Sequence, residues 1–154
     1  MAPGLRPRGL TAPELLIAVA IIGILAVIAF PRYANYRERV QIAQAIIDIK
    51  EIEAKLLAYA LDNREFPDDL AAVGMAGKLD PWGRPYEYTN LATIKGKGKA
   101  RKDKNLVPIN SDFDLYSLGK DGASSPPLNA TASRDDIVRA GDGRFVGLAA
   151  DFDP

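Results

Sequence analysis

The chain has 154 residues, of which 47% are hydrophobic and 26% charged, a balance that allows one modest globular core. Twenty basic residues balance twenty acidic ones, so net charge gives no argument for nucleic acid as a partner. The sequence contains no Cys and no His, which excludes disulfides, thiol nucleophiles, Cys/His zinc sites and histidine acid–base chemistry.

The first predicted element is a helix apolar enough for a membrane. The sixteen residues from Leu15 to Phe30 carry no charge, and the 22 positions from Leu10 to Pro31 contain one ionisable residue, Glu14. About 20 apolar residues suffice to span a bilayer. Arg6 and Arg8 precede the segment without an acid, so the positive-inside tendency predicts that this end stays cytoplasmic and the rest lies outside the cytoplasm.

Glu14 and the preceding glycine do not suit a cleaved secretory signal. Such a signal places small residues after its apolar stretch, whereas Gly9 lies before it, so we expect the apolar segment to survive processing. An acid in hydrocarbon costs a few kcal/mol and usually marks function. The alternative is that Glu14 lies at the level of the lipid headgroups, where the macrodipole stabilises an acid near the helix N-terminus.

The stretch GLTAPELLI, residues 9–17, resembles the processing and assembly motif of type IV pilins and type II secretion pseudopilins. The resemblance implies that prepilin peptidase cuts between Gly9 and Leu10 and methylates the new amino group of Leu10, with Glu14 as the assembly residue. A carboxylate neutralised by the neighbouring subunit's amino terminus would penalise monomers in lipid and favour the correct register. Leu10 in place of the usual Phe, and Ala12-Pro13 in place of two apolar residues, depart from the motif.

Beyond Pro31 the apolar residues recur at spacings of three and four, which predicts that the helix continues to about Asp62. They are Ile42, Ile46, Ile49, Ile52, Leu56 and Tyr59. A helix from Leu10 to Asp62 is on the order of 80 Å long, so we expect its first half to extend beyond a compact head. A membrane helix joined to a separate domain by a short linker is the alternative. Gly23 and Pro31 match positions at which many pilins have Gly and Pro.

The remainder is predicted as a short helix, strands and loops. An acidic first turn at 67–70 predicts a short helix that runs to about Val73 before Gly74. Strands are predicted at 86–88, 112–118 and 144–148, the last being an edge strand entered through a turn at 142–143. The segments DPWGRPYEY and SDFDLYSLGKDG resemble the major, G-type pseudopilin of type II secretion, which extends the resemblance over most of the chain.

The resemblance implies an α+β pilin fold in which a long N-terminal helix packs on a small antiparallel sheet. The implied parts are a leader (1–9), a transmembrane and filament-core half-helix (10–31) and a periplasmic head (32–154). We expect a structural subunit of a type II secretion pseudopilus, stored as a single-pass protein of the bacterial inner membrane. Its implied partners are copies of itself, prepilin peptidase, an inner-membrane assembly platform, minor pilins and membrane lipid.

Two other functions stay open at this point. One is a subunit of a surface pilus for adhesion, motility or DNA uptake, and the other is a bitopic membrane protein with a calcium-stabilised head. We expect no enzyme, because the sequence contains no paired-carboxylate motif, nucleophile elbow or phosphate-binding loop.

Residues 95–104 hold six basic residues and one acid, with glycines between them and no aromatic residue. We interpret them as a mobile, solvated basic loop. Nucleic-acid binding is not expected, because no side chain is present on which bases could stack. Contact with an acidic patch of a neighbouring subunit is a further hypothesis, since residues 112–153 hold eight Asp against four basic residues.

The oxygen-rich stretch from the SLG turn to Ile137 is a candidate calcium site. Calcium takes six to eight oxygen ligands, and the major pseudopilins hold calcium in a similar loop. The matching positions are the carboxylates and carbonyls of Leu118, Asp121, Ser124, Asp135 and Asp136. The loop is long, with Pro126-Pro127 where Gly is commoner in the family. The alternative is that these aspartates cap turns and a helix that starts at Asp135.

Overall fold

The structure is a computed structural model that describes residues 11–96, 98–104 and 106–153. Its first element is one long helix, α1 (Ala12–Asn63), which confirms the predicted helix to within two residues at either end. Pro31 lies inside α1 without ending it. The chain divides after Arg39 into two units.

Four strands form one antiparallel sheet in chain order within the second unit: β1 (Glu87–Asn90), β2 (Phe113–Ser117), β3 (Ile137–Ala140) and β4 (Phe145–Leu148). The predicted α+β class is therefore confirmed, and β4 is an edge strand as expected. The bounds of β3 were not predicted. The alternative of a helix starting at Asp135 is wrong, because a 3₁₀ turn ends at Ser133 and β3 begins at Ile137.

The predicted short helix after α1 is a 3₁₀ helix, Leu70–Val73. The carboxylate of Asp69 accepts hydrogen bonds from the backbone N–H groups of Ala71 and Ala72 and so caps its start. Gly74 ends it with φ +71°, a conformation that glycine adopts without steric cost. The acidic turn and the glycine predicted both ends correctly.

The main core lies between the C-terminal part of α1 and one face of the sheet. Ile49, Ile52 and Leu56 of α1 are fully buried, at the helical spacing that predicted them. They pack in one cluster with Phe113 of β2 and Ile137 of β3. Each such side chain contributes about 1.5–3 kcal/mol on burial, so this contact is the principal apolar stabilisation of the head.

The opposite face of the sheet is also covered. Val138 and Ala140 of β3 pack with Ile109, Leu128 and Ala149 from the loops and the C-terminal segment. Successive residues of β2 and β3 therefore alternate between two buried faces rather than between core and solvent. The predicted alternation is correct in period, but both faces are buried.

Arg139 joins α1 to the sheet. Its Nε donates to Glu53 of α1 at 2.6 Å, and its two terminal nitrogens donate to the carboxylate of Asp112 at 2.7 and 2.8 Å. The guanidinium also stacks on the ring of Phe113, 4.0 Å from the centroid. With the Arg139 side chain 1% exposed, its charge is balanced almost entirely by these two acids.

We predict that Arg139→Met destabilises the head by about 3 kcal/mol, because it leaves Glu53 and Asp112 without their cation. Thermal unfolding of the full chain in detergent, followed by the fluorescence of Trp82, the single tryptophan, measures this loss. Arg144→Met, at an exposed arginine five residues later, is the matched control and should leave stability nearly unchanged. Equal melting temperatures for the two variants would contradict the prediction.

Candidate assembly helix and acidic loop

The N-terminal part of α1 is apolar on every side. Between Leu15 and Phe30 no residue is charged, and every large hydrophobic side chain is more than half exposed. These side chains are Leu15, Leu16, Ile17, Val19, Ile21, Ile22, Ile24, Leu25, Val27, Ile28 and Phe30. The helix is long and apolar enough to cross a membrane, by length and composition. A helix that is hydrophobic all round belongs in lipid or among other helices.

Glu14 binds the residue at the start of the same helix. Its Oε2 accepts hydrogen bonds from the backbone N–H of Thr11 at 2.8 Å and from the Thr11 hydroxyl at 2.6 Å. The spacing Thr-x-x-Glu is that of a capping box, in which a Glu reaches back to the N-cap backbone. Pro13 lies in the first turn, where its missing N–H is not needed. The carboxylate therefore has a local partner within its own chain.

The predicted processing residues, Gly9 and Leu10, lie outside the residues that the structure describes. Cleavage between them stays a prediction. The assembly role of Glu14 likewise stays a prediction, although its position at the beginning of the apolar helix agrees with that role.

The two segments that carried the resemblance in the head are in direct contact. Asp80 of DPWGRP accepts a hydrogen bond from the hydroxyl of Ser117 at 2.6 Å. The guanidinium of Arg84 donates to the backbone carbonyls of Gly119 and Lys120 in the SLGKDG turn. Sequence reasoning had noted these segments separately. The structure shows that the first segment holds the backbone of the second.

The SLGKDG turn lies tightly against the start of β3. Gly119 has φ +62°, and a Cβ there would lie 2.2 Å from the carbonyl oxygen of Asp135, so this position requires glycine. The backbone N–H of Asp121 donates to Oδ2 of Asp135 at 2.9 Å. The turn thereby brings two of the five predicted calcium-binding residues together.

The other residues of the predicted calcium site also form hydrogen bonds within the protein. The Leu118 carbonyl accepts from Gly122 N–H at 3.2 Å, and Asp121 Oδ1 accepts from Ala123 N–H at 2.7 Å. The Ser124 hydroxyl donates to Oδ2 of Asp136 at 2.6 Å. The same Oδ2 accepts from Arg101, whose Nη2 lies 2.6 Å away. Oδ1 of Asp136 is buried without a hydrogen-bond partner among the described residues.

Calcium would need six to eight oxygens converging on one point. Within the described part of the chain, no group of three or more Asp, Glu, His or Cys residues is arranged to hold a metal. The guanidinium of Arg101 contacts both the Ser124 hydroxyl and Oδ2 of Asp136, which are also hydrogen-bonded to each other. Calcium binding by the five residues therefore stays a prediction.

Arg101 is the functional residue that sequence reasoning missed. It was assigned to a solvated basic loop, but Ala100, Arg101 and Asp103 are 1%, 3% and 4% exposed. That interpretation is wrong for residues 100–103, because the loop turns inward there and packs against the sheet. One signal was available in the sequence: Arg101 is the single arginine among five lysines, and arginine is the cation that proteins prefer in buried ion pairs.

Burial also changes the pKa values of the two acids around Arg101. It raises the pKa of Asp114 above its usual value, although the Arg101 backbone N–H and the Asn110 side chain donate to that carboxylate. Burial likewise raises the pKa of Asp136, against the opposing effect of its bonds to Ser124 and Arg101. Both carboxylates are thus costly to keep charged without a cation beside them.

Comparison with curated proteins finds relatives that match over most of this chain. A fimbrial protein of Neisseria meningitidis is 35% identical over 143 residues, which cover 86% of this chain and 82% of the relative. The type IV major pilin protein PilE of Neisseria gonorrhoeae is 36% identical over 142 residues, which cover 86% of this chain and 82% of the relative. Type II secretion system core protein G of Pseudomonas aeruginosa is 33% identical over 135 residues, which cover 74% of this chain and 84% of the relative.

No model of a known protein family matches the chain, and no solved structure matches it. The three relatives nevertheless match at least 74% of this chain at 33% identity or more. The chain belongs to the family of type IV pilins and type II secretion core protein G.

Proposed function

We propose that the chain is a structural subunit of a type II secretion pseudopilus, which polymerises with itself into a filament that promotes protein export. The observation that carries the proposal is the all-round apolar surface of α1 between Leu15 and Phe30 in a relative of core protein G. A surface of this kind is covered by lipid before assembly and by neighbouring helices after it.

The proposed pathway has two stages. Before assembly the chain is a single-pass protein of the bacterial inner membrane, with the head in the periplasm, because Arg6 and Arg8 favour a cytoplasmic N-terminus. Prepilin peptidase then removes residues 1–9 and methylates Leu10. An inner-membrane platform and minor pilins direct the insertion of the mature subunit into the filament.

Glu14 is proposed to guide that insertion. In the single chain its carboxylate is satisfied by Thr11. In the filament it would exchange this local partner for the amino terminus of a neighbouring Leu10, and an opposite charge in a water-poor core stabilises a carboxylate more strongly than a hydroxyl does. A misplaced subunit would leave the acid uncompensated, which favours one register over others.

Fimbrial relatives support a second candidate, a subunit of a surface pilus. Deleting the gene in its own organism separates the two functions. We expect the deletion to abolish export of secreted proteins, measured by mass spectrometry of the culture medium, and to leave surface filaments intact in electron micrographs. Loss of surface filaments with normal export would overturn the pseudopilus and favour the pilus.

We predict that prepilin peptidase converts the chain to a form beginning at N-methylated Leu10. Intact-mass analysis of the chain expressed with and without the peptidase should show loss of residues 1–9 and gain of one methyl group only when the peptidase is present. Gly9→Val, which places a branched side chain at the cut, should remain full length. A full-length wild-type chain in the presence of an active peptidase would exclude this processing.

We predict that Glu14→Ala is processed normally but does not assemble, because the variant lacks the charge that pairs with the neighbouring amino terminus. Filaments sheared from cells and quantified by immunoblot should fall at least about tenfold, the effect of roughly 1.4 kcal/mol per subunit contact. Glu38→Ala, outside the apolar segment of the same helix, is the comparison variant. Unchanged assembly of Glu14→Ala would remove the assembly role from Glu14.

A further inference from the structure

Arg101 connects three parts of the head on the second face of the sheet. Besides Asp136 and Ser124, its Nη1 donates to the backbone carbonyl of Ser125 at 2.9 Å. Its guanidinium lies over the ring of Tyr116 in β2, 4.3 Å from the centroid. One side chain thus joins the loop after SLGKDG, the residue before β3 and the C-terminal part of β2.

The segment that carries Arg101 is anchored by its backbone. The Arg101 N–H donates to Asp114 at 2.7 Å, and the Arg101 carbonyl accepts from Ile109 N–H at 3.0 Å. Lys102 exchanges backbone hydrogen bonds with the 126–128 segment, at 3.0 Å to the carbonyl of Pro126 and 2.8 Å from Leu128 N–H. Moving the guanidinium out of its site would require breaking these backbone hydrogen bonds.

Arg101 supplies a cation to one of the two buried acids of this region. Asp114 and Asp136 are 1% and 0% exposed, and the guanidinium of Arg101 bonds Asp136 while its backbone bonds Asp114. A calcium ion that bound Oδ2 of Asp136 would lie beside the fixed positive charge of the guanidinium in a poorly solvated site. Arg101 and a divalent cation therefore exclude each other at this position.

We propose that the guanidinium of Arg101 is the resident cation of the loop between Leu118 and Asp136, and that this loop keeps its structure without a divalent metal. Arginine suits the role because its planar fork donates at the same time to the Asp136 carboxylate, the Ser124 hydroxyl and the Ser125 carbonyl. The inference concerns the head alone and does not depend on the proposed function.

The first test measures the wild-type full chain in detergent. Its melting temperature, followed by Trp82 fluorescence, should be the same in excess EGTA and in millimolar calcium, and elemental analysis after dialysis should find no stoichiometric calcium. An ion that binds only the folded state stabilises it by RT ln(1 + c/Kd), where c is the free ion concentration, and this stabilisation keeps growing as c rises above Kd. A rise of several degrees in calcium, or one calcium per chain after dialysis, would overturn the proposal.

The second test removes the cation. Arg101→Gln should lower the melting temperature by roughly 10 °C whether or not calcium is present, because it leaves a buried carboxylate unpaired. Lys99→Gln, at an exposed lysine in the same basic segment, is the matched control and should not change it. The double variant Arg101→Gln/Asp136→Asn should recover much of the loss, since it removes the unpaired charge as well.

A double variant no more stable than Arg101→Gln alone would show that charge pairing is not the reason for the loss, and would overturn the proposal. If Arg101→Gln does not fold, Arg101→Lys gives the same information. Lysine keeps the charge but lacks the fork, so its melting temperature should lie measurably below that of the wild type. A lysine variant as stable as the wild type would contradict the role assigned to the guanidinium.

Discussion

The ion pairs of Arg139 with Glu53 and Asp112 are the interaction on which the head depends. Apolar packing presses α1 against the sheet, but packing alone specifies the position of a helix only loosely. The guanidinium adds a fixed geometry: one nitrogen binds the helix, two bind the residue before β2, and the plane covers Phe113. A helix rotated or shifted by one residue would separate Glu53 from Arg139 and leave this half-buried carboxylate without its cation.

The second face of the sheet repeats this arrangement with Arg101. Each face therefore carries one buried arginine stacked on an aromatic ring of β2, Phe113 on the helix side and Tyr116 on the other. Because the two rings lie at positions of opposite orientation in the same strand, β2 is held from both sides. The head uses buried cations where small secreted domains use disulfides, and the sequence offers no cysteine for the latter.

The features that could be predicted from the sequence were those with local physical causes. The apolar period of α1, the Asp69 and Gly74 caps and the turn before β4 each depend on residues close together in the chain. Strand β3 was not predicted because Arg139 interrupts its apolar residues, which gives a fully buried strand the sequence pattern of a polar segment.

The role of the acidic loop between Leu118 and Asp136 also could not be predicted from the sequence. Asp121, Asp135 and Asp136 are acidic whether they bind a metal, cap a turn or pair with an arginine, so composition alone could not decide among these roles. The partner of Asp136 lies 35 residues earlier, in a segment whose lysines and glycines are typical of a solvated loop. Only the tertiary fold brings Arg101 inward.

The apolar surface of α1 also bears on how a polymer begins. A helix with a single apolar stripe is satisfied by one partner, so pairs of such helices are stable end points. Between Leu15 and Phe30 the apolar surface surrounds α1, and a pair would leave most of it uncovered. The first few subunits to meet therefore gain little, and later ones gain more as each contacts several neighbours. Assembly through such a surface therefore has a nucleation barrier.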